Sequence, residues 1–126
     1  YFVEWKPEYD RFVQVHYRWT LSGEYPRLAW SSALTYEMIY TQPVVYEFSQ
    51  VKVPTLLVIG QEDRTTLGRG SVSQQVLNTL GQYPELGKKT AEAIPNAKLV
   101  ELNNIGHIPH LAAPEQFHKA LLEYIR

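Results

Sequence analysis

An aspartate and a histidine each stand a few residues past an apolar run, Asp63 in PTLLVIGQEDRT and His107 in AKLVELNNIGHIPH. A histidine can take a proton from an attacking group. A carboxylate on its far ring nitrogen then selects the tautomer and stabilises the imidazolium that forms. The chemistry needs both groups to converge, and the chain order, acid before histidine, is two thirds of a catalytic triad. The attacking group itself has no candidate. No Gly-x-Ser-x-Gly occurs, Ser71 and Ser73 in GRGSVSQ lack glycines at the right offsets, and Ser22 in TLSGE has Thr20 where the first glycine would stand. A nucleophile upstream of Tyr1 is therefore expected, and the chain alone is expected to be inactive.

Two strands must position the pair. The run Thr55 to Ile59 is apolar without alternation, the pattern of a strand buried on both faces in a parallel sheet. Pro54 opens it, where no ladder donor is required, and Gly60 closes it. Ala97 to Leu102 is a second strand of comparable quality. Loops leaving the carboxyl ends of parallel strands are where sites assemble, and Asp63 lies three residues past Gly60 while His107 lies five past Leu102. Gly106 allows a sharp turn just before the imidazole. Two parallel strands cannot cover both faces or close their edges. The missing strands are expected upstream of Tyr1 or in another chain.

The remaining elements read as helices. Pro84 to Ile94 forms one, with Pro84 in its first turn, and Pro114 starts the last, with Phe117, Ala120, Leu121, Tyr124 and Ile125 at helical spacing. Leu67 to Tyr83, rich in glycine, serine and glutamine, reads as a loop holding a short helix. Residues 1–50 differ: all three tryptophans and seven of the nine tyrosines fall there, without a convincing strand. Their best helix is Leu28 to Thr41, with Trp30, Ala33, Leu34 and Met38 spaced for one buried face and Pro43 as its stop. A boundary near Val44 to Lys52 separates this segment from the α/β part, 51–126.

Composition excludes several partners. With 12 basic and 13 acidic residues spread along 126 positions, the net charge is -1, which offers no footprint for nucleic acid or an anionic membrane surface. No apolar run approaches a membrane span of about 20 residues. There is no cysteine, hence no disulfide or thiolate metal site, and this is compatible with any compartment.

The two motifs together resemble the α/β-hydrolase superfamily. PTLLVIGQEDRT followed by IPNAKLVELNNIGHIPHLAAPEQFHKALLEYI is similar to the C-terminal half of that fold, covering about residues 51–126. The resemblance implies an α/β fold class, the C-terminal part of a parallel sheet plus a helical cap at 1–50. It also implies Asp63 as triad acid, His107 as triad histidine, and a serine nucleophile in an N-terminal half outside this chain. The implied reaction is cleavage of an ester, amide or related bond of a small-molecule substrate, with no cofactor and no metal. The separation of 44 residues from Asp63 to His107 exceeds a minimal loop, helix and strand, so a subfamily feature near the site entrance is expected.

Rival readings stay open at this point. An aspartate nucleophile in the same fold would give an epoxide hydrolase or haloalkane dehalogenase, for which tyrosines such as Tyr36 and Tyr40 would suit epoxide activation. A non-catalytic binding protein could also keep the fold for its pocket, although it would have no reason to retain both Asp63 and His107. Glu62 is the fallback acid. Trp30, Tyr36 and Tyr40, with His110, are candidates to touch substrate, against the plain alternative that cap aromatics pack a helix. His107 and His110 form a His-x-x-His pair, but zinc sites want three protein ligands and no acidic helix motif accompanies it. His16 and His118 read as structural, and Arg64 and Thr65 as pins of the acid loop.

Overall fold

The computed structural model describes residues 1–126 and divides into two compact units. The smaller, Glu4–Tyr46, is helical: a short 3-10 turn at Pro7–Tyr9, then α1 (Asp10–Thr20) and α2 (Tyr25–Thr41). The face expected to be buried on α2 is not. Trp30, Leu34 and Met38 are 68%, 47% and 50% exposed, and neither helix contains a buried residue. Helices α1 and α2 share almost no packing, so the apolar stripe of α2 stays uncovered within this unit.

The larger unit contains Tyr1–Val3 and Glu47–Arg126, so the first three residues group with the α/β part and not with the helices that follow them. After a 3-10 segment at Val44–Gln50, it is built from β1 (Thr55–Gly60), a 3-10 turn at Arg69–Ser71, and α3 (Gln74–Leu77). Then come α4 (Tyr83–Ala93), β2 (Ala97–Leu102), α5 (Pro109–Ala112) and α6 (Pro114–Tyr124). No helix is long and apolar enough to cross a membrane.

The two strands lie parallel in register, from Thr55 opposite Ala97 to Gly60 opposite Leu102. Helix α4 packs on both strands, while α5 and α6 pack on β1. Gly87 gives α4 its close approach: a Cβ there would stand 3.0 Å from Cγ1 of Ile59. Coverage is nevertheless partial. Thr55 to Ile59 are half-buried, short of the two-faced burial their sequence predicts, because a sheet of two strands has no flanking neighbours. The buried apolar residues of this unit are at the strand ends and helix contacts, at Leu102, Ile94, Ala113 and Ala120.

The strand ends are stitched together beyond the ladder. The Gln61 amide donates to the Leu102 carbonyl at 3.0 Å and the Glu62 amide to the Ile105 carbonyl at 2.9 Å. Asn104 turns the second loop in the left-handed region, φ 58°, a conformation asparagine tolerates better than most residues. The seam is too close for side chains. A Cβ on Gly60 would lie 2.2 Å from the Gly106 carbonyl oxygen, and one on Gly106 would lie 2.3 Å from the Tyr1 carbonyl oxygen. Gly60→Ala and Gly106→Ala should each cost about 1–3 kcal/mol, the scale of overpacking, or more because the obstacles are backbone. Chemical denaturation of the complete protein checks this. A midpoint within error of the parent would mean that the loops separate freely.

Candidate active site

Each candidate side chain arrives on a loop that leaves the carboxyl end of its strand. The Asp63 amide closes a turn on the Gly60 carbonyl at 3.1 Å, which starts the acid loop directly after the strand. On the other loop, the His107 amide donates to the Tyr1 carbonyl at 2.8 Å, so the backbone carrying the imidazole is held from the far end of the unit. The two side chains meet. Nδ1 of His107 and Oδ2 of Asp63 are 2.8 Å apart across 44 residues of sequence.

Burial separates the roles the two groups can play. The Asp63 side chain is 6% exposed and that of His107 is 34% exposed. A buried carboxylate needs partners for each oxygen. Oδ1 of Asp63 accepts the Thr65 amide at 2.8 Å and Oδ2 accepts the His107 ring N–H, so one side of the carboxylate is committed to its own loop and the other to the imidazole. Arg64 braces the same turn, its Nη1 donating to the carbonyls of Gln61 at 3.0 Å and Asp63 at 2.7 Å. Thr65 and Arg64 therefore pin the acid loop, as their positions after the acid imply. With Nδ1 donating to the carboxylate, Nε2 is the ring atom left as a proton acceptor.

Two aromatic rings fix the imidazole plane. Tyr1 and Tyr83 stand edge-on to it, with centroids at 5.0 and 6.0 Å. The phenol of Tyr83 is held protonated above its ordinary range, first by burial, then by the negative charge of Asp63 and by Tyr1. It faces the histidine as a neutral group. Neither tyrosine was signalled by sequence: Tyr1 is remote in the chain, and Tyr83 reads only as the residue before a helix-opening proline. The long connection from Asp63 to His107 is what brings Tyr83 back. Its return is set at Gly81, whose φ of 64° favours glycine and whose missing side chain would otherwise strike the Arg64 carbonyl at 2.6 Å.

A cavity of about 280 Å3 opens beside the pair, lined among others by Tyr1, Asp63, Arg64, Thr65, Arg69 and His107. Glu62 also lines it but is exposed and makes no contact with the imidazole. His110 is exposed on α5 with its ring 5.9 Å from that of Phe117, and no set of three histidine, aspartate or glutamate side chains is grouped to hold a metal ion. Trp30, Tyr36 and Tyr40 are on α2 in the helical unit, each exposed. His16 stacks edge-on against Trp19 in that unit, and His118 is exposed on α6 next to Phe117.

Parallel strands joined through a helix, with an acid and a histidine meeting beyond their carboxyl ends, form the C-terminal part of the α/β-hydrolase fold, and comparison with known proteins agrees. The structure superposes on that of a probable hydrolytic enzyme from Pseudomonas aeruginosa PAO1 with a TM-score of 0.93 and 47% identity, covering 98% of this chain and 39% of that one. In sequence it is 35% identical over 79 residues to Protein ABHD14A of Rattus norvegicus, which is 63% of this chain and 26% of the relative. Against Protein ABHD14A of Mus musculus it is 34% identical over 93 residues, 74% of this chain and 30% of the relative. No protein-family model matches. The chain thus spans roughly a quarter to two fifths of the proteins it resembles.

Proposed function

We propose that this chain supplies the acid and base of a serine hydrolase that cleaves an ester, amide or related bond, with the nucleophile contributed by residues outside 1–126. The observation that carries the reading is the 2.8 Å contact between a buried Asp63 carboxylate and the partly exposed His107 imidazole, at the mouth of a cavity. In this reading Nε2 takes the serine proton as the hydroxyl attacks the carbonyl, and later returns it to the leaving group. Asp63 keeps Nδ1 protonated and offsets the imidazolium charge. Oxyanion donors, like the nucleophile, would come from outside this chain. The helical unit is the proposed cap, with Trp30, Tyr36 and Tyr40 as its proposed substrate-facing residues.

A fluorophosphonate probe, which forms a covalent bond with an activated serine, tests the reading on the complete protein. One serine outside 1–126 should be labelled, and labelling should be lost in the His107→Ala variant. An aspartate trapped as an alkyl ester by a haloalkane or epoxide, with no serine labelled, would replace the serine mechanism by the aspartate one.

A further inference from the structure

Arg69 has no assigned role in the site described, yet it sits where two cavities share a wall. The second cavity, about 290 Å3, is lined by Arg64, Arg69, Gln74, Asn78, Gln82 and two leucines. Arg64 and Arg69 also line the cavity beside His107. The carboxylates of the region, Glu62 and Asp63, line only the first cavity, so the second presents two guanidinium groups and three amides with no acid among them.

The two guanidinium groups are largely uncommitted. Arg69 forms no ion pair and no side-chain hydrogen bond. Arg64 spends Nη1 on the Gln61 and Asp63 carbonyls, which orients its guanidinium while leaving Nη2 and Nε without protein partners. Gln74 donates to Oδ1 of Asn78 at 2.7 Å and Gln82 donates to the backbone carbonyls of Asn78 and Leu80 at 3.2 and 3.4 Å, so of the three amides Asn78 alone keeps its NH2 as a donor. The close approach of Gly81 to the Arg64 backbone ties the two sides of this cavity together. Planar, permanently charged guanidinium forks are suited to oxyanions, which they bind through paired N–H donors.

We infer that Arg64 and Arg69 form an anion subsite next to the Asp63–His107 pair, which selects substrates carrying a carboxylate or phosphate group near the scissile bond. This inference rests on the hydrolase reading for its substrate, but the subsite itself can be tested without turnover. The long connection between acid and histidine then has a function: it carries Arg69 and the Asn78 amide, which a minimal loop would lack.

Two esters of matched length decide it, 4-nitrophenyl hemisuccinate and its neutral methyl ester, each assayed with the complete protein. The parent should favour the charged ester in kcat/KM by about tenfold or more, the scale of one charge-assisted contact. Arg69→Gln should collapse that ratio, Arg69→Glu should invert it, and Arg69→Lys should restore part of it. Titration calorimetry with inorganic phosphate and with acetate, run on the parent and on Arg69→Glu, reads the subsite directly. Binding to the parent that is lost in Arg69→Glu supports the subsite even if neither ester is cleaved, an outcome that would sink the hydrolase reading alone. Tighter phosphate binding assigns a phosphate-bearing substrate, and tighter acetate binding a carboxylate. An ester ratio unchanged from parent to Arg69→Glu, with no anion binding by the parent, overturns the inference.

Discussion

Replacing His107 by alanine in the complete protein is expected to lower hydrolysis of an activated ester by about 10⁴-fold or more, since a general base and the nucleophile it activates fail together. The loss should fall on kcat, because the imidazole acts on the proton of the nucleophile and contributes little ground-state binding. Stability will also move. His107→Ala keeps the backbone bond to the Tyr1 carbonyl, but it strands Oδ2 of a carboxylate that is 6% exposed and removes the ring between Tyr1 and Tyr83. A buried acceptor left without its donor costs about 1–3 kcal/mol. Activity must therefore be compared at equal folded fraction, measured by circular dichroism. His110→Ala and added chelator serve as controls: His110 is remote from Asp63 in its contacts, so neither should reduce turnover appreciably. Chelator inhibition, with both histidine variants dead, would replace the triad by a metal centre. Full activity in His107→Ala would end the proposal, because no other histidine here has a carboxylate partner.

Asp63→Asn is expected to cost on the order of 10⁴ in kcat while leaving the fold intact. The geometry gives the direction of the defect. The Thr65 amide donates to one carboxylate oxygen at 2.8 Å, so an asparagine there keeps its carbonyl on Thr65 and turns its NH2 toward His107. That amide is a donor, and Nδ1 must then accept. The proton moves to Nε2, and the nitrogen that should receive the nucleophile's proton already carries one. Steady-state kinetics on the two proteins, with a thermal melt to confirm equal folding, checks this. A loss below tenfold would transfer the orienting role to another carboxylate, and Glu62, exposed on the same loop, is the first to replace in turn.

Much of this site was legible in the residues. Strand boundaries at Thr55, Gly60, Ala97 and Leu102 are marked by apolar runs closed by Pro54, Gly60 and Pro95, and the structure places the strands there. Pro84 and Pro114 likewise mark helix starts, because proline is tolerated only in the first turn. Burial was less legible. The apolar face of α2 is exposed and β1 is half-covered, since periodicity shows which face seeks a partner but not whether that partner lies within the same 126 residues. The short helix α5, four residues between the histidine loop and α6, has too few positions to show a period.

The sequence by itself determined the local geometry of the pair: two strands, two loops, and one ionisable group on each at a short, countable distance from a strand end. These follow from steric limits and apolar patterning that act within about ten residues. Only the tertiary structure decided what surrounds them. That Tyr1 and Tyr83 bracket the imidazole, that Gly60 and Gly106 must lack side chains, and that Arg69 lines the cavity beside His107 all depend on contacts between distant segments. The parallel register of the strands, and the return of the Asp63 to His107 connection at Gly81, bring those segments together. Close packing couples each of these positions to neighbours far away in the chain, and no local pattern records which neighbour that will be.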